Sequence, residues 1–156
     1  MNRFKIVAAG LALASIALAG GKPLASVSKF DGKFQWVKLP ALPAATVKLF
    51  AKAKSLLIDV TFSHPVKLKK DKGGNYWLTF IVADQGSDWA WHQTTGSGAI
   101  PAETGTIAAG SYTVTVPVAG IPVTVLADKK QTLSVGPGSS GVAAPAAFTI
   151  DRVRAK

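Results

Sequence analysis

The sequence has no cysteine. Disulfides, thiolate zinc sites and thiol nucleophiles are therefore excluded, and side-chain packing must hold the fold. Acids are scarce too, with 8 Asp and Glu against 18 Lys and Arg, and there are only two histidines, His64 and His92. General acid–base chemistry needs paired ionisable groups in one cleft. The acids nearest in sequence, Asp84 and Asp88, flank a glycine-containing loop and carry no glycosidase signature. No Gly-x-Ser-x-Gly elbow occurs, and the glycine-rich stretch 136–141 lacks the Lys-Ser/Thr of a phosphate loop. The expectation is a chain with no catalytic machinery. No nucleic-acid motif is present either.

Long apolar runs are also missing. The longest, residues 6–19, holds 14 residues, where a spanning helix needs about 20. It follows the basic residues Arg3 and Lys5 and ends in Ala17-Leu18-Ala19. That order of basic start, apolar stretch and small-residue exit describes a secretory signal peptide over residues 1–19. A periplasmic, cell-surface or extracellular destination follows, with no membrane span after cleavage. An uncleaved anchor is the alternative. The remaining 137 residues suit one domain. The chain's formal charge of +10 falls to +8 once Arg3 and Lys5 are lost. Such a balance gives solubility or attraction to an anionic surface or polysaccharide.

Residues 20–28 read as a flexible lead and 29–156 as a β-sandwich domain. The segment 30–37 reads as an opening strand with a turn at Asp31-Gly32. Pro40 and Pro43 break the chain, and Val47, Phe50 and Ala53 share one stripe of a short helix over 44–54. From Leu56 the period becomes two: Leu56, Ile58, Val60 and Phe62 alternate with Leu57, Asp59, Thr61 and Ser63. Residues 67–75 form a basic loop. Residues 76–83 are apolar on both faces, as in a central strand. Residues 86–97 form an aromatic and polar loop or hairpin. Tyr112, Val114 and Val116 mark another alternating strand, and Pro117 places its end at an edge. Short strands follow at 121–127 and 131–135, a loop at 136–141 and a closing strand at 148–154. Many short strands between Gly/Pro turns, with one helix, indicate an all-β, two-sheet antiparallel sandwich or a barrel.

The tryptophans carry the functional expectation. Trp89 and Trp91 stand two apart, so on an extended segment they face the same way. Two indoles on one face give a strip on which a sugar ring can stack, while Asp88, His92 and Gln93 offer hydrogen bonds to hydroxyls. Burial in the core is the competing role for this pair, and it is the expected role for Trp36 and Trp77. In the closing strand Phe148 and Ile150 are in phase and Val153 is not. A bulge at Asp151-Arg152 would restore the phase. An aspartate there can cap backbone amides or ligate Ca²⁺.

The pieces, in order, resemble the jelly-roll carbohydrate-binding modules of the galactose-binding-like type. Phe30-Asp31-Gly32 with Trp36 resembles that family's early acidic-Gly-Trp segment. Lys54-Ser55-Leu56-Leu57-Ile58-Asp59-Val60 resembles its Asp-Val strand, and Gly86-Ser87-Asp88-Trp89-Ala90-Trp91 its tryptophan loop. Phe148-Thr149-Ile150-Asp151-Arg152-Val153 resembles its closing strand, with Arg152 where Asn is usual. The resemblance implies a jelly roll, non-catalytic binding of a polysaccharide or glycan, and often one structural calcium near the first and last strands. Asp31 and Asp151 would be its ligands, and Trp89 and Trp91 would lie near the glycan face. A structural or adhesive interaction protein of the cell envelope, working through the basic loop, is the other reading, because one fold serves many functions.

Overall fold

The computed structural model describes residues 15–16, 22–41, 48–85, 91–121 and 132–156. They form a predominantly β structure of antiparallel sheets. The strands are β1 (Ser15–Ile16), β2 (Ala25–Phe30), β3 (Val37–Lys38), β4 (Ser55–Phe62), β5 (Val66–Lys67) and β6 (Leu78–Gln85). They continue with β7 (Trp91–Gln93), β8 (Gly98–Ile100), β9 (Thr106–Ile107), β10 (Gly110–Pro117), β11 (Thr132–Ser139) and β12 (Ala146–Ala155). The first sheet runs β1-β12-β4-β10, with β2 also on β12. The second runs β3-β11-β6-β7, with β8 also on β6, and β5 and β9 form a small third sheet.

The alternation in β4 is realised as expected: Leu56, Ile58, Val60 and Phe62 are buried, while Leu57, Asp59 and Thr61 are only partly so. Its neighbour β10 buries Val114 and Val116 and is the edge strand, where Pro117 costs no ladder bond. Across the two large sheets the apolar faces merge into one core. Phe148 of β12 meets Phe80 of β6 edge-on at 6.1 Å and also touches Phe30 and Phe62.

The closing strand carries the expected bulge. Ile150 pairs with Val60 and Arg152 with Asp59, so Asp151 is the extra residue. Ile150 and Val153 are both fully buried as a result.

Three expectations are corrected. Residues 25–28 of the lead belong to β2. A register shift against β12 lets Val27 and Phe30, three apart, both face the core. The segment 30–37 is not one strand with a turn. It is a corner where the chain leaves the first sheet at Phe30 and joins the second at Val37. Residues 136–138 are not a loop but the centre of β11, paired with β6 opposite Ile81, Phe80 and Thr79. Pro137 fits there because its carbonyl accepts from the Gln35 amide at 3.3 Å. Its nitrogen therefore points to the loop side, away from the β6 ladder.

The helix is short, a turn over residues 48–50 closed by Lys52 N–H to Leu49 O and Ala53 N–H to Phe50 O, with Phe50 fully buried. The earlier part of the expected helix and the strand expected at 121–127, apart from Ile121, lie outside the described residues. Among the described residues no helix is long and apolar enough to cross a membrane. Ser15–Ile16, inside the segment read as a signal peptide, pair with Val153 and Arg154 of β12.

Candidate functional site

Three large apolar side chains are exposed among the described residues: Phe34, Leu49 and Trp77. Two of them, Phe34 at 49% and Trp77 at 38%, border the same groove on the outer face of the second sheet. The groove encloses about 610 Å³, within the usual range for ligand sites.

Its floor follows from the pleat. Leu78, Phe80 and Val82 of β6 face the core, so Thr79 and Ile81 face out. Opposite them on β11 stand Gly138 and Gly136. Without side chains these glycines leave room for rings above them. A Cβ on Gly136 would lie 2.5 Å from Phe34 Cζ and 2.9 Å from Trp36 Cζ3. Phe34 and Trp36 meet edge-to-face at 4.8 Å, so the corner over 31–36 lays an aromatic pair across a glycine floor.

Another wall is Trp77, just before β6. Its backbone is tied to Ser140, which donates N–H to the Trp77 carbonyl at 3.0 Å and accepts the Trp77 amide on Oγ at 3.2 Å. Its indole Nε1 donates to Asp71 Oδ2 at 3.0 Å. Asp71 is itself fixed, its Oδ1 accepting the Gly73 and Asn75 amides at 2.9 Å each. The Asn75 amide does most to hold the Asp71 carboxyl below the usual aspartate range; slight burial opposes it, and the Trp77 indole and Gly73 amide assist. A charged carboxylate locked in a tight turn thus sets the direction of an exposed indole.

Polar groups sit around these rings. Asp31, Lys33, Lys69, Thr79, Ser139 and Ser140 line the groove. Gly32 closes one end with φ +88°, and a Cβ there would lie 2.8 Å from the Val142 amide nitrogen, so only glycine fits without strain.

The sequence-derived candidates fall in different places. Asp88 and Trp89 lie outside the described residues. Trp91, His92 and Gln93 form β7 beside β6, at the positions of Gln85, Asp84 and Ala83. His92 is half-buried and Gln93 exposed, and the Trp91 side chain lies outside what the structure describes. Gln93 stands opposite Ala83, two residues along β6 from Ile81 and so about 7 Å further on the same face. The expectation that Trp36 and Trp77 are core residues is corrected: Trp36 is half-buried over the glycine floor and Trp77 is exposed.

Asp31 and Asp151 are not brought together. β2 and β12 run antiparallel, with Phe30 opposite Ala146 and Ala25 opposite Ile150. The two aspartates therefore lie at opposite ends of this pair, about 20 Å apart, too far to share one calcium with ligand distances of about 2.5 Å. Asp31 Oδ1 accepts the Lys33 amide at 2.9 Å. Asp151 accepts the Thr149 and Thr61 hydroxyls at 2.7 and 2.6 Å. Among the described residues no group of three or more His, Asp or Glu side chains is placed to hold a metal ion.

The comparisons add no relative: no family model, no curated protein and no solved structure matches the chain.

Proposed function

We propose that this chain is a non-catalytic, secreted carbohydrate-binding module, a jelly roll of the galactose-binding-like kind, whose glycan site is the groove between Phe34 and Trp77. One observation carries the reading: two exposed aromatic rings, Phe34 seated over Gly136 and Gly138 and Trp77 just before β6, line the same groove. Pyranose rings present flat C–H faces that stack on such rings. The Thr79 hydroxyl lies within the same groove to meet a sugar hydroxyl.

Affinity electrophoresis through gels holding different polysaccharides tests the reading. The wild type should be retarded by at least one glycan. Trp77→Ala and Phe34→Ala should each weaken that retention by about 1–3 kcal/mol, taking the scale of base–aromatic stacking. Each ring is about half covered by its neighbours, so each variant should also lose about 1–2 kcal/mol of stability, and retention is compared well below the unfolding temperature. Retention unchanged in both variants would remove the groove as the glycan site.

The basic loop 67–72 supports a second reading, an envelope protein held to an anionic surface. Attachment of that kind falls steeply between 0.1 and 1 M salt, as the Debye length shrinks from about 10 Å to about 3 Å. Stacking on Trp77 is far less sensitive to salt.

A further inference from the structure

We infer that the groove selects acidic polysaccharide, with Lys33 and Lys69 receiving the carboxylates of uronic acid rings stacked on Phe34 and Trp77; this rests on the glycan-binding reading above. Both lysines line the groove and both are exposed. Their backbones are anchored. The Lys69 amide donates to Gly141 O at 2.9 Å, and its aliphatic stem lies against Gly141. Lys33 follows the crowded Gly32 and donates its amide to Asp31.

Two acids lie nearby, and neutral donors hold each while leaving its charge in place. Asp71 is taken up by the Trp77 indole and two loop amides. Asp31 holds the turn that carries Lys33. Among the described residues neither Lys33 nor Lys69 has a carboxylate partner. The neighbouring Lys70 leans over the Tyr76 ring at 5.6 Å, and Lys72 is exposed in the same loop, so Lys33, Lys69, Lys70 and Lys72 outweigh Asp31 and Asp71 and leave the groove and its rim net positive. A neutral glycan would use the aromatic walls and offer the two ammonium groups only uncharged hydroxyl acceptors. A uronate ring offers a C–H face to the walls and, at its edge, an anion to a lysine.

The test pairs each acidic polymer with its own uncharged form. Polygalacturonate and alginate are compared with their carboxyl-reduced derivatives, alongside a neutral xylan and a β-glucan, in affinity gels at 0.1 M salt. Two exposed ion pairs of ordinary strength amount to about a tenfold preference, so the wild type should prefer at least one acidic polymer over its reduced form by about that factor. The double variant Lys33→Gln/Lys69→Gln should bring the two forms within about twofold. Trp77→Ala should lose retention by both.

Equal retention of acidic and reduced forms by the wild type overturns the acidic preference and leaves the glycan reading standing. A preference that survives in the double variant, or in Trp77→Ala, places the charge recognition elsewhere and overturns the inference. Failure of all six polymers to retard the wild type overturns the glycan reading and the inference together.

Discussion

The residue on which most depends is Asp71. Its carboxylate ties the exposed Trp77 indole to a tight turn. Asp71→Ala leaves the indole in place but free to turn, so glycan retention should fall while the near-ultraviolet signal of tryptophan loses intensity. The pH dependence follows from the depressed pKa of this group. The stabilisation of the turn is complete above the carboxyl's unfolded pKa. It disappears only as the pH falls through the lower folded value. Retention should therefore stay level from neutral pH down to the ordinary carboxylate range and drop only below it. A drop centred near pH 6 would assign the effect to another group. The sequence alone places Trp77 in the core for a physical reason. Residues 76–83 are apolar on both faces, and periodicity does not say which face is covered. The signal that points the other way is the pair Gly136 and Gly138, whose missing side chains seat the Phe34 and Trp36 rings on the outer face.

At the scale of elements, the strands of strong period two were legible and those built around glycine, proline or a bulge were not. β4 and β10 alternate along their length and lie where expected. The bulge in β12 is the exception, legible from the phase of Phe148, Ile150 and Val153. β2 reads as a flexible lead because Ser26, Ser28 and Lys29 are polar and its register shift puts Val27 and Phe30 on one face at a spacing of three. Gly-Pro-Gly in β11 reads as a loop because a proline cannot serve a ladder on both sides. Only the fold shows that β3 pairs no further along β11 than Val135, so the Gln35 amide bonds the Pro137 carbonyl there and no ladder calls on the missing N–H. Gly136→Ala tests the floor directly. Its Cβ must displace the Phe34 ring, so glycan retention should fall about as far as in Phe34→Ala. Stability should fall by about 1–2 kcal/mol, because the Phe34 ring can move aside. Equal retention by the wild type and this variant would show that the ring's seat over the glycine does not matter.

For the whole molecule, the joint between the two large sheets is aromatic. Phe148 reaches Phe30, Phe62 and Phe80 and is 3% exposed. Phe148→Ala should cost about 3–5 kcal/mol in urea denaturation, a large share of the roughly 5–15 kcal/mol that holds a typical domain. A loss under about 1 kcal/mol would mean that the two apolar faces do not meet there. With no cysteine in the chain, no disulfide offsets such a loss.

The groove also joins distant parts of the chain. Its walls come from residues 31–34, from 69 to 81 and from 136 to 142, and the Gly32 carbonyl is held by the Ser139 amide and hydroxyl at 3.1 Å each. None of these segments forms a wall alone. A ligand seated there has nothing to hold in the unfolded chain, so by mass action it adds about 2.7 kcal/mol of stability at a hundredfold excess over Kd and raises the melting temperature. A thermal-shift screen across polysaccharide fragments would then single out the glycan that binds, using the assembly of the fold itself as the detector.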